Sequence, residues 1–149
     1  MIAIGSDHAA YGFKMQILEH LIEKGIECKD FGADGKIKSE YPEYANIVSQ
    51  AIVSGECDKG ILFCGTGIGM SIAANKVKGI RAAVCMESFG AELSRRHNNA
   101  NILCLGARML GIELAKKIVD VWIETEFEGG RHQMRVDMIS EIEEQEGLK

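Results

Sequence analysis

Only one proline, Pro42, occurs in 149 residues, well below the usual share of about 5%. No Pro/Ser-rich linker, low-complexity tract or internal repeat interrupts the chain, so a single domain spanning residues 1–149 is expected. The five cysteines, at 28, 57, 64, 85 and 104, include no CxxC or other close pair. An odd and dispersed set supplies neither a disulfide framework nor a zinc-ligand spacing, and it fits a reducing compartment, the cytoplasm. Positive charge is also scarce. Seventeen Lys+Arg face 22 Asp+Glu for a net charge of −5, the wrong balance for gripping a nucleic-acid backbone. Long apolar runs are missing too: the uncharged stretch 60–75 is broken by glycines, and the N-terminal run stops at Asp7 with no basic residue before it. Neither a membrane helix nor a signal peptide is expected.

What the chain does have is 46% hydrophobic residues, enough for one packed core. They fall into short runs without alternation, Met1–Ile4, Ile61–Cys64, Ala82–Cys85 and Ile102–Leu105, as strands covered on both faces should. Ile26–Phe31 is a weaker fifth. Between them lie apolar residues at helical spacing: Phe13, Ile17, Leu21; Tyr44, Ile47, Val48, Ala51, Ile52; and Leu110, Leu114, Ile118, Val121, Trp122. The alternation predicts an α/β domain, a Rossmann-like three-layer αβα sandwich around a mostly parallel five-stranded sheet. A last helix is expected from about Arg131, with Met134, Met138, Ile139 and Ile142 on one side. Its Glu141, Glu143, Glu144 and Glu146 oppose the helix dipole, so its end should fray.

In an open parallel sheet, ligands bind beyond the carboxyl ends of the strands. Asp7 and His8 follow the first strand, the CGTGIGM segment (64–70) follows the third, and Arg108 follows the fifth. Three glycines at alternate positions, Gly65, Gly67 and Gly69, let the backbone approach a ligand and turn N–H groups toward an anion. Neither GxxxxGK[ST] nor GxGxxG fits this loop, so it is no nucleotide fingerprint, and a tight turn without a ligand is the other reading. Cys64 lies where a following helix start favours a thiolate base or nucleophile, although a cysteine ending a buried strand can also be plain core. Asp7 can cap the next helix instead of reacting. His97 sits in the polar knot RRHNNAN (95–101), either as a proton carrier or as part of a helix C-cap. Arg131 and Arg135 share a helix face near the helix's positive end. A phosphate held between them, with Arg108 as a third fork, removes that cost; two solvated arginines are the alternative.

GSDHA (5–9), YPEYA (41–45), CGTGIGMSIAANK (64–76), GIRAA (79–83), RRHNNANIL (95–103), LGAR (105–108) and GGRHQMRV (129–136) together resemble ribose-5-phosphate isomerase type B along nearly the whole chain. Cys64 and Met70 resemble the cysteine-dependent subtype of that family; another subtype has Gly and Glu at these places. The resemblance implies metal-free, cofactor-free interconversion of D-ribose 5-phosphate and D-ribulose 5-phosphate through a cis-enediol(ate). It implies that Cys64 is the base between C1 and C2, that His97 is the acid of sugar ring opening, and that Asp7 aids ring-opening proton transfers. The loop Gly65, Thr66, Gly67, Ile68 and Gly69 matches the holder of the enediolate oxygens. His8, Asn98, Arg108, Arg131 and Arg135 match substrate contacts, with Tyr41 as a further pocket contact. It also implies a homodimer or dimer of dimers whose pocket is completed across a subunit interface.

The residue types agree, since proton abstraction beside a carbonyl needs a base and fixed donors for the developing oxyanion. Two other functions remain open at this level. An isomerase of a six-carbon sugar phosphate, allose or galactose 6-phosphate, would use the same chemistry, and a non-enzymatic sugar-phosphate sensor would need the arginines and glycine loop but neither Cys64 nor His97.

Overall fold

The structure, a computed structural model, describes residues 1–147. Five strands form one sheet: β1 (Ile2–Ser6), β2 (Cys28–Asp30), β3 (Lys59–Cys64), β4 (Ala82–Val84) and β5 (Ile102–Gly106). Their order is β2-β1-β3-β5-β4 and every pair is parallel, so the expected mostly parallel sheet is entirely parallel. The helices are α1 (Tyr11–Glu23), α2 (Tyr41–Val53), α3 (Ile68–Ala74), α4 (Ser88–Arg96), α5 (Ile112–Glu124) and α6 (Arg131–Gly147).

Successive strand residues point to opposite faces, and the core divides accordingly. Ile4, Ile61, Phe63, Leu103 and Leu105 pack on one face with Ile17 and Leu21 of α1, Ala91 of α4, and Ile118 and Trp122 of α5. Ala3, Leu62, Ile102 and Cys104 pack on the other with Val48 of α2 and Met70 and Ala74 of α3. Both faces of the three central strands are thereby dry, which is why their sequences read as unbroken apolar runs. Pro42 sits in the first turn of α2, where its missing N–H costs no helical hydrogen bond.

From β1 the chain runs outward to β2, then returns to pair β3 against the other side of β1. That reversal opens a crevice beyond the carboxyl ends of β1 and β3, with α1 leaving on one face and α3 on the other.

The expected fraying of the last helix does not occur within the described residues. Helix α6 continues to Gly147, because its acids have tertiary partners. Both Glu143 carboxylate oxygens accept from the Gly79 N–H, at 3.0 and 3.1 Å, and Glu144 pairs with Lys78. Among the described residues, no helix is long and apolar enough to cross a membrane.

Candidate active site

The crevice between β1 and β3 holds the first group of residues. Cys64 closes β3, is 5% exposed, and its Sγ accepts a hydrogen bond from the Gly67 N–H at 3.2 Å. The loop can curl back this way because Gly67 adopts φ 78°, which a side chain would strain. A Cβ there would also meet the Leu105 carbonyl carbon and Val84 Cγ2 at 3.0 Å. Ile68 starts α3, and its N–H, which has no acceptor within the helix, donates to Thr66 Oγ1 at 3.2 Å. With only seven residues, α3 has a small dipole.

Gly106 of β5 touches the loop so closely that a Cβ would lie 2.6 Å from the Thr66 carbonyl oxygen. Just beyond it, Arg108 donates its backbone N–H to the Gly65 carbonyl at 2.9 Å and leaves its side chain exposed. The Tyr41 ring lies against Gly69, where a Cβ would meet it at 2.7 Å. On the β1 side, half-buried Asp7 accepts from the Ala10 N–H at 3.0 Å, so it does brace the entry to α1. His8 is held by Ser39: its backbone N–H donates to Ser39 Oγ at 2.9 Å, and the Ser39 N–H donates to its Nδ1 at 3.1 Å.

The remaining cysteines keep the core role. Burial pushes up the thiols of Cys28, Cys57 and Cys104, and that of Cys85 to about 11, so each stays protonated at neutral pH.

The second group lies at the opposite end of the sheet. Helix α4 carries the chain back to the amino ends of the strands, and His97 is its C-cap residue. Register sets Gly60 beside Ile102 and Cys64 beside Gly106, so the two edges are about 13 Å apart along the strand. The knot at 95–101 is gripped by two guanidiniums. Arg95 donates to the Ala100 carbonyl at 2.6 Å and to Asn99 Oδ1 at 3.0 Å, while Arg81 donates to the carbonyls of Asn98 and Asn99 at 3.0 Å. Asn99 takes φ 47° to close the turn, which leaves the Asn98 side chain exposed.

Helix α6 begins beside this knot, the Glu128 N–H donating to the Arg96 carbonyl at 3.1 Å. Arg131 and Arg135 are both exposed, and among the described residues neither has an ion pair with an acid. Two cations four residues apart with no carboxylate between them are arranged as the expected phosphate clamp requires. Arg108, expected as their third fork, stands instead at the Cys64 edge of the same chain.

Two residues that the sequence pattern had given no role complete this group. The His132 ring stacks on that of His97, with centroids 4.2 Å apart and planes 12° apart, and Glu128 Oε2 lies 3.3 Å from His132 Nε2. The only signal for His132 was its place between the two arginines. His97, Glu128 and His132 bring ligand-type atoms within 4.8 Å of one another, but they fit a metal poorly. Stacked rings point their in-plane lone pairs side by side instead of converging, Glu128 is already paired with Arg96 at 2.7 Å, and Arg131 and Arg135 add positive charge. Burial is the main cause lowering the His132 pKa, and the neighbouring His97 and Arg131 add to it.

The fold is that of an α/β sugar-phosphate isomerase, with Cys64 and the glycine loop at one edge of the sheet and His97 with two exposed arginines at the other. Residues 2–139 match the model of the Ribose/Galactose Isomerase family, and the chain belongs to that family. It is 52% identical to ribose-5-phosphate isomerase B of Escherichia coli over 143 residues, 96% of either chain. It is 46% identical to the D-erythrulose-4-phosphate isomerase of Pectobacterium atrosepticum over 146 residues, 97% of this chain and 96% of that one. Among solved structures, Clostridium thermocellum ribose-5-phosphate isomerase B superposes with a TM-score of 0.95 at 54% identity, covering 97% of both chains. The type B enzyme of Leishmania infantum gives 0.93 at 47% identity, also over 97% of both.

Proposed function

We propose that this chain interconverts D-ribose 5-phosphate and D-ribulose 5-phosphate, with Cys64 moving the proton between C2 and C1. The observation that carries the reading is the geometry of Cys64, a barely exposed sulfur at the end of β3 within a turn of backbone N–H groups. A base on one side of the substrate and fixed donors on the other are what an enediolate requires. Thr66 and the N–H groups of Gly65 to Gly69 stabilise the enediolate oxygens, Asp7 and His8 orient the sugar, and Tyr41 walls the pocket across Gly69. In ring opening His97 protonates the ring oxygen as its bond to C1 breaks and Asp7 takes the anomeric hydroxyl proton, while Arg131 and Arg135 hold the phosphate beside Asn98. Cys64, His97 and Asp7 supply the acid–base groups of this reading, and none of its steps calls on a metal or a cofactor.

Cys64 and His97 stand at opposite ends of the sheet, so one copy supplies half of a pocket. A second copy supplies the other half, in a homodimer or a dimer of dimers. The apolar side chains such an interface would cover are present, with Ile68, Val84, Met86 and Phe89 exposed near the Cys64 edge and Met134 and Met138 exposed on α6. The five free cysteines support residence in the reducing cytoplasm.

A relative named for D-erythrulose 4-phosphate favours a second reading, a four-carbon substrate. The test is to incubate the purified chain with ribose, allose and galactose phosphates and with erythrulose 4-phosphate, without added metal and again with a chelator. Fastest turnover of ribose 5-phosphate, unaffected by chelation, is expected. Preference for another sugar reassigns the substrate, and loss on chelation that a divalent ion restores rejects the metal-free mechanism.

A further inference from the structure

We infer that His132 is a positioning residue for His97, a buried platform that fixes the plane of the imidazole assigned to ring opening. The inference rests on that assignment of His97 and adds the reason its ring has one orientation. His97 occupies the last position of α4, where the chain leaves the helix; its backbone N–H is tied to the Leu93 carbonyl at 2.9 Å. Among the described residues, no group hydrogen-bonds the His97 ring. The face-to-face contact with His132, centroids 4.2 Å apart, is what holds it. Half-buried, the ring would otherwise rotate about its side-chain torsions, and a proton carrier must aim one nitrogen at the sugar ring oxygen within hydrogen-bond reach.

The platform is itself anchored. His132 is 4% exposed, and its backbone N–H donates to the Gly129 carbonyl at 3.0 Å in the first turn of α6. Its Nε2 is fully buried without a well-aligned hydrogen bond, but it lies 3.3 Å from Glu128 Oε2. Glu128 is joined to Arg96 at 2.7 Å, and Arg96 to Glu92 at 3.0 Å. This chain of ion pairs locks the end of α4 to the start of α6, so the distance between the two rings is set by both helices. Stacked imidazoles cannot both carry a proton without repulsion. Burial, the His97 charge and the cations Arg131 and Arg135 all disfavour the charged form of His132, against the pull of Glu128. His132 is thereby held toward its neutral form.

Five full-length proteins test this: wild type, His97→Ala, His132→Ala, the double variant, and His132→Phe as the conservative replacement. Each is assayed for isomerisation of ribose 5-phosphate, which needs ring opening, and for solvent deuterium exchange into ribulose 5-phosphate, which does not. A misaimed acid slows its step on the order of ten- to a hundredfold. His132→Ala should lose that much in isomerisation from ribose 5-phosphate while exchange stays within about twofold, which also shows that the variant is folded. His132→Phe keeps a flat ring and should recover most of the loss. The double variant should be no slower than His97→Ala, because His132 acts only through His97. Normal isomerisation by His132→Ala, parallel loss of exchange, no recovery in His132→Phe, or a further drop in the double variant would overturn the inference. If His97→Ala itself slows both assays equally, the ring-opening role of His97 fails first, and the positioning role fails with it.

Discussion

The Gly67 N–H points at Cys64 Sγ from 3.2 Å. Only Gly65 and Thr66 separate the two residues, and the φ of 78° at Gly67 is what lets so short a loop close. The same turn that holds the base also presents the neighbouring N–H groups at the carboxyl end of β3, where negative charge would develop on substrate oxygen.

The distance between the two halves of the site predicts complementation between inactive chains. Cys64→Ser and His97→Ala are each defective in converting ribose 5-phosphate, but a mixed dimer has one pocket with both defects and one with neither. Random pairing makes half the dimers mixed, so co-refolding equal amounts should restore about a quarter of wild-type activity. Activity no greater than the sum of the separate variants would place both residues in one chain's pocket or outside the mechanism.

The phosphate clamp gives a second expectation. Replacing Arg135 with Ala removes charge-assisted hydrogen bonds, so substrate affinity should fall by about 1.5–3 kcal/mol, and inorganic phosphate should lose its competition to the same degree. Unchanged phosphate competition would show that the α6 arginines face something other than the substrate's anion.

Strands and long helices were legible because burial on both faces leaves unbroken apolar runs in β1, β3 and β5. The edge strands were harder to bound, since β2 and β4 have three residues each and are largely open to solvent. Helices α3 and α4 are too short for periodicity to declare them. The carboxyl-edge half of the site follows from reading what comes after each strand, which located Asp7, His8, the glycine loop and Arg108. Separation of His97 from Cys64 depends on α4 returning the chain to the other edge, and the role of His132 depends on where α6 meets α4; both arise from packing between distant segments. The same limit explains the helix end. Judged locally, the acids of α6 should unwind it, but Lys78 and the Gly79 N–H receive them.

Acid stability should report the burial of His132. Its pKa is lowered from the 6.5 of a free imidazole, so below about pH 6.5 the unfolded chain binds a proton that the folded chain resists, and stability falls as pH drops through that range. His132→Phe removes the group. Urea midpoints measured from pH 7.5 to 5 should therefore decline less steeply in the variant than in wild type. Parallel declines would mean that His132 takes up its proton in the folded chain as readily as in the unfolded one.

Solvent deuterium exchange into ribulose 5-phosphate, followed by NMR for wild type and Cys64→Ser, tests the assignment of the base most directly. Serine nearly preserves the shape of the residue and its place beside the Gly67 N–H, but its hydroxyl is a far weaker acid, so almost no anionic base exists near pH 7. Substrate binding should persist while exchange falls by at least about a hundredfold, the scale of a lost general base. Exchange near the wild-type rate in the folded variant would remove Cys64 from proton transfer and leave Asp7 as the next group to examine.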